Sequence, residues 1–145
     1  ASVEGDIWKM GYRGEILYIP IEDYSVLPKD VEEIAVDKVL ELYAQRKIIA
    51  IFCTGGHGRT GYFASLVLGK LGIADPIGFL RNTYCKNVVE CNKQVRSIAN
   101  FLKNRSLQKF MKRNLMNGII CIKLIVKIIL MKNIKSVDNV YIIIH

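Results

Sequence analysis

Cys53 and Arg59 are joined by Thr54-Gly55-Gly56-His57-Gly58 and followed by Thr60-Gly61. Successive backbone N–H groups in so tight a glycine-rich turn form a concavity for an anion, and a helix opening at its end adds positive partial charge. Gly55, Gly56 and Gly58 let the backbone take angles closed to other residues and come close to a ligand. The same donors favour thiolate over thiol, so Cys53 is expected to be a nucleophile near neutral pH. Arg59 offers a planar fork that can hold two phosphoryl oxygens, a geometry lysine cannot copy. Thr60 is placed to hydrogen-bond the sulfur and ease its departure from a phosphocysteine. A thiolate attacking phosphorus also needs an acid for the leaving oxygen. Asp23 is the candidate, with Glu22 beside it as the weaker choice, and its role would reverse when water hydrolyses the intermediate.

The surrounding elements suit that arrangement. Glu15–Ile21 (EILYIPI) reads as a strand, leading into a polar loop with Asp23 and Pro28. Asp30 is expected to cap a helix, with Glu33 completing a capping box. Val31, Ile34, Ala35, Val39, Leu42 and Tyr43 form its apolar stripe. Ile48–Phe52 (IIAIF) has the character of a buried strand, and the Cys53–Gly58 turn follows it directly. Arg59–Leu71 then reads as a helix stopped by Gly72. Asp75-Pro76 opens a short helix to about Cys85. Val88–Lys103 predicts another amphipathic helix, with Cys91, Val95, Ile98, Phe101 and Leu102 as its stripe. The order predicts an α/β fold, a mostly parallel central sheet flanked by helices.

The chain of 145 residues has room for one domain, and its composition, half apolar and under a quarter charged, excludes a disordered chain. The expected division is a catalytic domain over 1–104, with upstream strands short or absent, and a basic, Ile-rich extension over 105–145. Through Lys103 there are 13 basic and 12 acidic residues; beyond it there are 8 basic and a single acid, Asp138. Such a tail could attract RNA, acidic lipid headgroups or an acidic partner, or only aid solubility. Gly118–Met131 is apolar but interrupted by Lys123 and Lys127, and too short to span a bilayer. It suits either an interfacial helix, leaving peripheral membrane contact open, or a strand paired with Val140–Ile144 across a turn at Asn133–Asn139. The N-terminus has no secretory signal character. Cys53, Cys85, Cys91 and Cys121 match no paired metal-ligand spacing and there are only two histidines, so no structural zinc is expected, and their low density favours a reducing, cytoplasmic setting. Cys85 and Cys91 read as core residues, and Cys121 as core or interface. Trp8 and the tyrosines show no stacking pattern for nucleic acid.

The pattern running from Cys53 to Gly61 resembles the signature loop of the protein tyrosine phosphatase superfamily. Ile19-Pro20-Ile21-Glu22-Asp23 resembles the acid loop of its compact dual-specificity branch, including small archaeal members. The resemblance covers Glu15 to Lys103. It implies metal-independent hydrolysis of phosphomonoesters, with Cys53, Arg59, Asp23 and Thr60 catalytic and Thr54, Gly55, Gly56, His57, Gly58 and Arg59 around the phosphate. The side chain of His57 itself reads as loop filler. The implied partner is a phosphorylated protein carrying phosphotyrosine, with phosphoserine and phosphothreonine also open. Where that family often carries water-positioning glutamines, this chain has Glu90 and Gln94, so Gln94 is the expected helper. Phe52 stands where a histidine usually precedes the nucleophile.

Rival readings follow from the same residues. An RNA 5′-phosphatase or triphosphatase would use the signature loop and suit the basic tail. A phosphate-binding pseudophosphatase would explain Phe52, Glu90 and the short N-terminal region. A rhodanese-like sulfur transferase is a more distant alternative, disfavoured by the Arg59 spacing and by Asp23.

Overall fold

A computed structural model of the chain describes residues 14–103 and 139–144. Gly118–Met131, Trp8, Cys121 and nearly all of the basic extension lie outside the described residues.

β1 spans Glu15–Ile19 and stops two residues short of the predicted strand, at Pro20, which has no N–H to give a ladder. Ile21 nevertheless stays buried and anchors the loop that follows. α1, Lys29–Ala44, starts one residue before the expected Asp30 cap. Pro28 occupies the N-cap with no side-chain cap bond, and its carbonyl accepts Glu32 N–H at 2.9 Å. Asp30 instead lies in the first turn, where a carboxylate complements the helix dipole. The buried face of α1 also differs from the predicted stripe. Val36, Val39, Leu40 and Leu42 are buried, whereas Ile34 is 69% exposed. Packing against β2 and the next helix chooses this face.

β2 covers Ile48–Phe52, as expected. α2, Gly58–Lys70, is apolar nearly all round and buried from Thr60 to Gly69, the pattern of a helix inside a domain rather than on it. It ends at Leu71, followed by Gly72 at φ +102°. α3, Pro76–Thr83, has the predicted cap: Asp75 Oδ1 accepts Gly78 N–H at 2.9 Å. α4 spans Asn92–Lys103, four residues shorter at its start than predicted. Val89 has φ +61°, outside the right-handed helical region, so the chain bends through residues 88–91 before the helix begins. The predicted stripe narrows accordingly: Ile98 and Phe101 are buried, while Val95 is 37% exposed.

β3, Asn139–Ile144, is the last described element, yet it lies in the middle of the sheet. The strand order is β1-β3-β2 and both pairings are parallel. In register, Ile142 stands opposite Leu17 of β1 and Ile51 of β2. Both edges of β3 are paired, one to β1 and the other to β2. The far end of the expected 105–145 extension thus bridges the strand that leads to Asp23 and the strand that leads to Cys53.

Among the described residues, no helix is long and apolar enough to cross a membrane.

Candidate active site

The nucleophile candidate sits where β2 ends and the chain turns into α2. Cys53 is 8% exposed, with Gly56 N–H donating to its Sγ at 3.2 Å and Thr60 Oγ1 donating at 3.1 Å. Burial pushes the thiol up; the Thr60 hydroxyl and the backbone N–H groups of Thr60, Gly56 and Gly55 outweigh it together and hold Cys53 below its ordinary value. The thiolate is the nucleophilic form, so it survives to lower pH than that of a free cysteine. The loop closes on itself through Gly56, whose φ of +75° suits glycine and turns its N–H toward the sulfur. At Gly61, a Cβ would lie 2.7 Å from Val88 Cβ, so only glycine lets the residue 88–90 turn dock on the start of α2. That docking includes Val89 N–H to His57 O at 3.4 Å and sets the Glu90 carboxylate against Gly58.

Arg59, in the first turn of α2, reaches across to the loop after β1. Its Nε lies 3.4 Å from Asp23 Oδ1, and its Nη1 donates to Ile21 O at 3.4 Å. The guanidinium is mostly buried, whereas Asp23 is 63% exposed. One side chain therefore joins the acid candidate to the cysteine loop. Cys53, Thr60, Arg59 and Asp23, chosen from sequence, are brought together here. Thr54 and Gly55 lie exposed along the same turn, and the Gly58 that ends it is buried.

The loop carrying Asp23 is held at both ends. Ser25 N–H donates to Glu22 O at 3.0 Å, making a tight turn with Tyr24 at φ +54°. α4 and the turn before it then grip this loop. Cys91 Sγ donates to Tyr24 O at 3.4 Å, and Lys93 Nζ donates to Ser25 Oγ at 3.0 Å. Gln94 is fully buried; its Nε2 donates to Ser25 O at 3.3 Å and its Oε1 accepts Glu90 N–H at 3.2 Å. At the far end, Leu27 N–H donates to Tyr62 Oη at 3.1 Å, and Tyr62 and Ser97 hydroxyls both donate to the buried Glu32 carboxylate. Burial, and then the Glu32 carboxylate, push the Tyr62 phenol well above its ordinary value, so it remains a donor.

Several of these contributors escape a reading of the sequence. Glu32 looks like an ordinary charged position of a solvated helix face, and Tyr62 like core. Tyr84, whose hydroxyl donates to Gly56 O at 2.9 Å, sits 28 residues from its partner. The Cys53–Gly61 spacing carried the strongest signal, and Asp23 and Gln94 were reached by their type and place in the chain. Among the described residues, no group of three or more His, Cys, Asp or Glu side chains could hold a metal ion.

Residues 5–109 match the family described as the Swiss Army Knife protein, DSP-PTPase phosphatase domain. The chain belongs to that family. The match places this phosphatase domain in the dual-specificity branch of the protein tyrosine phosphatase superfamily, the group its signature loop resembles. Two uncharacterised proteins of Methanocaldococcus jannaschii are similar to it. One is 36% identical over 87 residues, covering 60% of this chain and 55% of the relative. The other is 34% identical over 89 residues, covering 61% of this chain and 60% of the relative. The chain thus spans little more than half the length of the curated relatives it matches. No solved structure matches it.

Proposed function

We propose that this chain hydrolyses phosphomonoesters of the protein tyrosine and dual-specificity type through a phosphocysteine. The observation that carries the reading is a buried Cys53 Sγ, held by Gly56 N–H and Thr60 Oγ1, beside an Arg59 that contacts Asp23. In the first step the thiolate attacks phosphorus, the P–O bond to the leaving group breaks, and Asp23 gives that oxygen its proton. In the second, Asp23 takes a proton from water as the water attacks phosphorus. The S–P bond breaks, inorganic phosphate leaves and the thiolate returns. Arg59 and the loop N–H groups hold the equatorial oxygens in both steps. Gln94, with both amide atoms on backbone partners, acts by fixing the acid loop and the Glu90 turn. Phosphotyrosine is the proposed substrate, with phosphoserine and phosphothreonine also accepted across the short loop from Pro20 to Pro28. The thiolate mechanism calls for a reducing compartment such as the cytoplasm.

The test is release of phosphate from a small aryl phosphate with a metal chelator present, with acid quenching to trap the intermediate. Turnover and a phosphorylated peptide containing Cys53 are the expected results. A folded chain that binds phosphate but releases none overturns the enzymatic reading and leaves a phosphate-binding module.

The role of Asp23 has its own measurement. Asp23→Asn should lower kcat about 10²–10⁴-fold on alkyl and phenyl phosphates, the usual contribution of general acid–base catalysis. The loss should shrink for a leaving group acidic enough to depart unprotonated. A uniform rate near that of the parent on every leaving group would remove Asp23 from the chemistry.

A further inference from the structure

Tyr84 follows α3 directly, a few residues before the turn that docks on His57, Gly58 and Gly61. Its N–H donates to Leu80 O at 2.8 Å, which fixes the residue at the end of the helix, and its side chain is 38% exposed. From there its hydroxyl donates to Gly56 O at 2.9 Å. Gly56 is therefore held from two directions: its N–H faces Cys53 Sγ at 3.2 Å, and its carbonyl faces Tyr84.

The consequence lies one atom further along. A trans peptide unit is planar, with its C=O and N–H pointing in opposite directions. A Gly56 carbonyl turned out toward Tyr84 aims the N–H of the same unit, that of His57, to the inner side of the loop. Gly56 sets no Cβ against rotation of that unit, so the resistance comes from His57, at φ −113°, and from whatever holds the Gly56 carbonyl. The rotated form would put a carbonyl oxygen where an anion needs a donor. Space is tight enough to make the contact selective: a Cβ on Gly56 would lie 3.2 Å from Tyr84 Oη.

We infer that Tyr84 is a positioning residue of the phosphate site, latching the Gly56–His57 peptide so that the His57 N–H is presented to a bound phosphoryl oxygen. This rests on the phosphate-site reading given above, and it adds a residue outside the signature loop to the determinants of substrate affinity. Tyr84 touches no reacting atom; it acts through Gly56.

The experiment compares the full chain with Tyr84→Phe, which removes only the hydroxyl. Inorganic phosphate is the probe, by competitive inhibition and by titration of the His57 amide in ¹⁵N spectra. The expected result is a rise of about fivefold or more in both the phosphate Ki and the aryl phosphate KM, the effect of one lost hydrogen bond. kcat should change less than KM, the melting temperature should hold, and the His57 amide shift seen when the parent binds phosphate should be lost. A folded variant with Ki within twofold of the parent and the same His57 shift overturns the inference. So does a rise in Ki that comes with an equal fall in kcat and a lower melting temperature, because that describes general loosening. A parent chain that binds no phosphate at all would instead overturn the phosphate-site reading itself.

Discussion

Cys53→Ser abolishes phosphate release, with kcat falling about 10⁴-fold or more, the scale seen when a covalent nucleophile is removed. Three effects act in the same direction. A serine hydroxyl stays protonated at neutral pH, where the donors around Sγ favour an anion at that position. The groups that contact this atom among the described residues, the Thr60 hydroxyl and the backbone N–H groups of Thr60, Gly56 and Gly55, are donors and take no proton from a serine. A phosphoserine, if formed, would also leave its oxygen more slowly than a phosphocysteine leaves its sulfur. Phosphate affinity should change little, because Arg59 and the loop N–H groups remain. Calorimetric titration with inorganic phosphate, run beside the aryl phosphate assay, separates the two quantities. A variant that retains a tenth of the parent rate would place the nucleophile elsewhere.

Ile142→Asp unfolds the domain. Ile142 is fully buried in the middle strand, opposite Leu17 on one side and Ile51 on the other. An ionised carboxylate there has no partner among these apolar neighbours, and burying it uncompensated costs several kcal/mol or more. That is comparable with the whole stability of a small domain, about 5–15 kcal/mol. The strand also carries more than its own burial. The sheet order leaves β1 and β2 joined through β3, so its loss removes the strand pairing that holds the two strands leading to Asp23 and Cys53 side by side. Circular dichroism and thermal melting measure the outcome, with Ile142→Val as the control, expected to cost about 0.5–1.5 kcal/mol. An Ile142→Asp variant that melts like the parent would mean that this strand does not occupy the slot.

Much of the site was legible because its chemistry is local. Cys53, Gly56, Arg59 and Thr60 lie within eight residues, and a strand-to-helix turn through glycines has few alternative shapes. Asp23 was legible by its type and its place after a strand, and the Arg59 contact is consistent with that choice. The helix ends were less accessible. The capping pattern at Asp30 competed with Pro28, whose fixed φ and free carbonyl place the cap two residues earlier. The Val88–Lys103 periodicity ran through Val89, which takes a positive φ so that the turn can dock on Gly61.

The sequence by itself determined the glycine-rich strand-to-helix turn and the cysteine, threonine and arginine it carries, since these depend on residue type and short spacing. Tertiary structure alone decided that the last strand enters the middle of the sheet, that Gln94 and Tyr62 hold the acid loop, and that Tyr84 reaches Gly56. The physical reason is common to all three. Strand pairing and side-chain hydrogen bonds between distant segments depend on which surfaces meet, and an apolar run such as Asn139–Ile144 fits equally well against many partners until the rest of the core selects one.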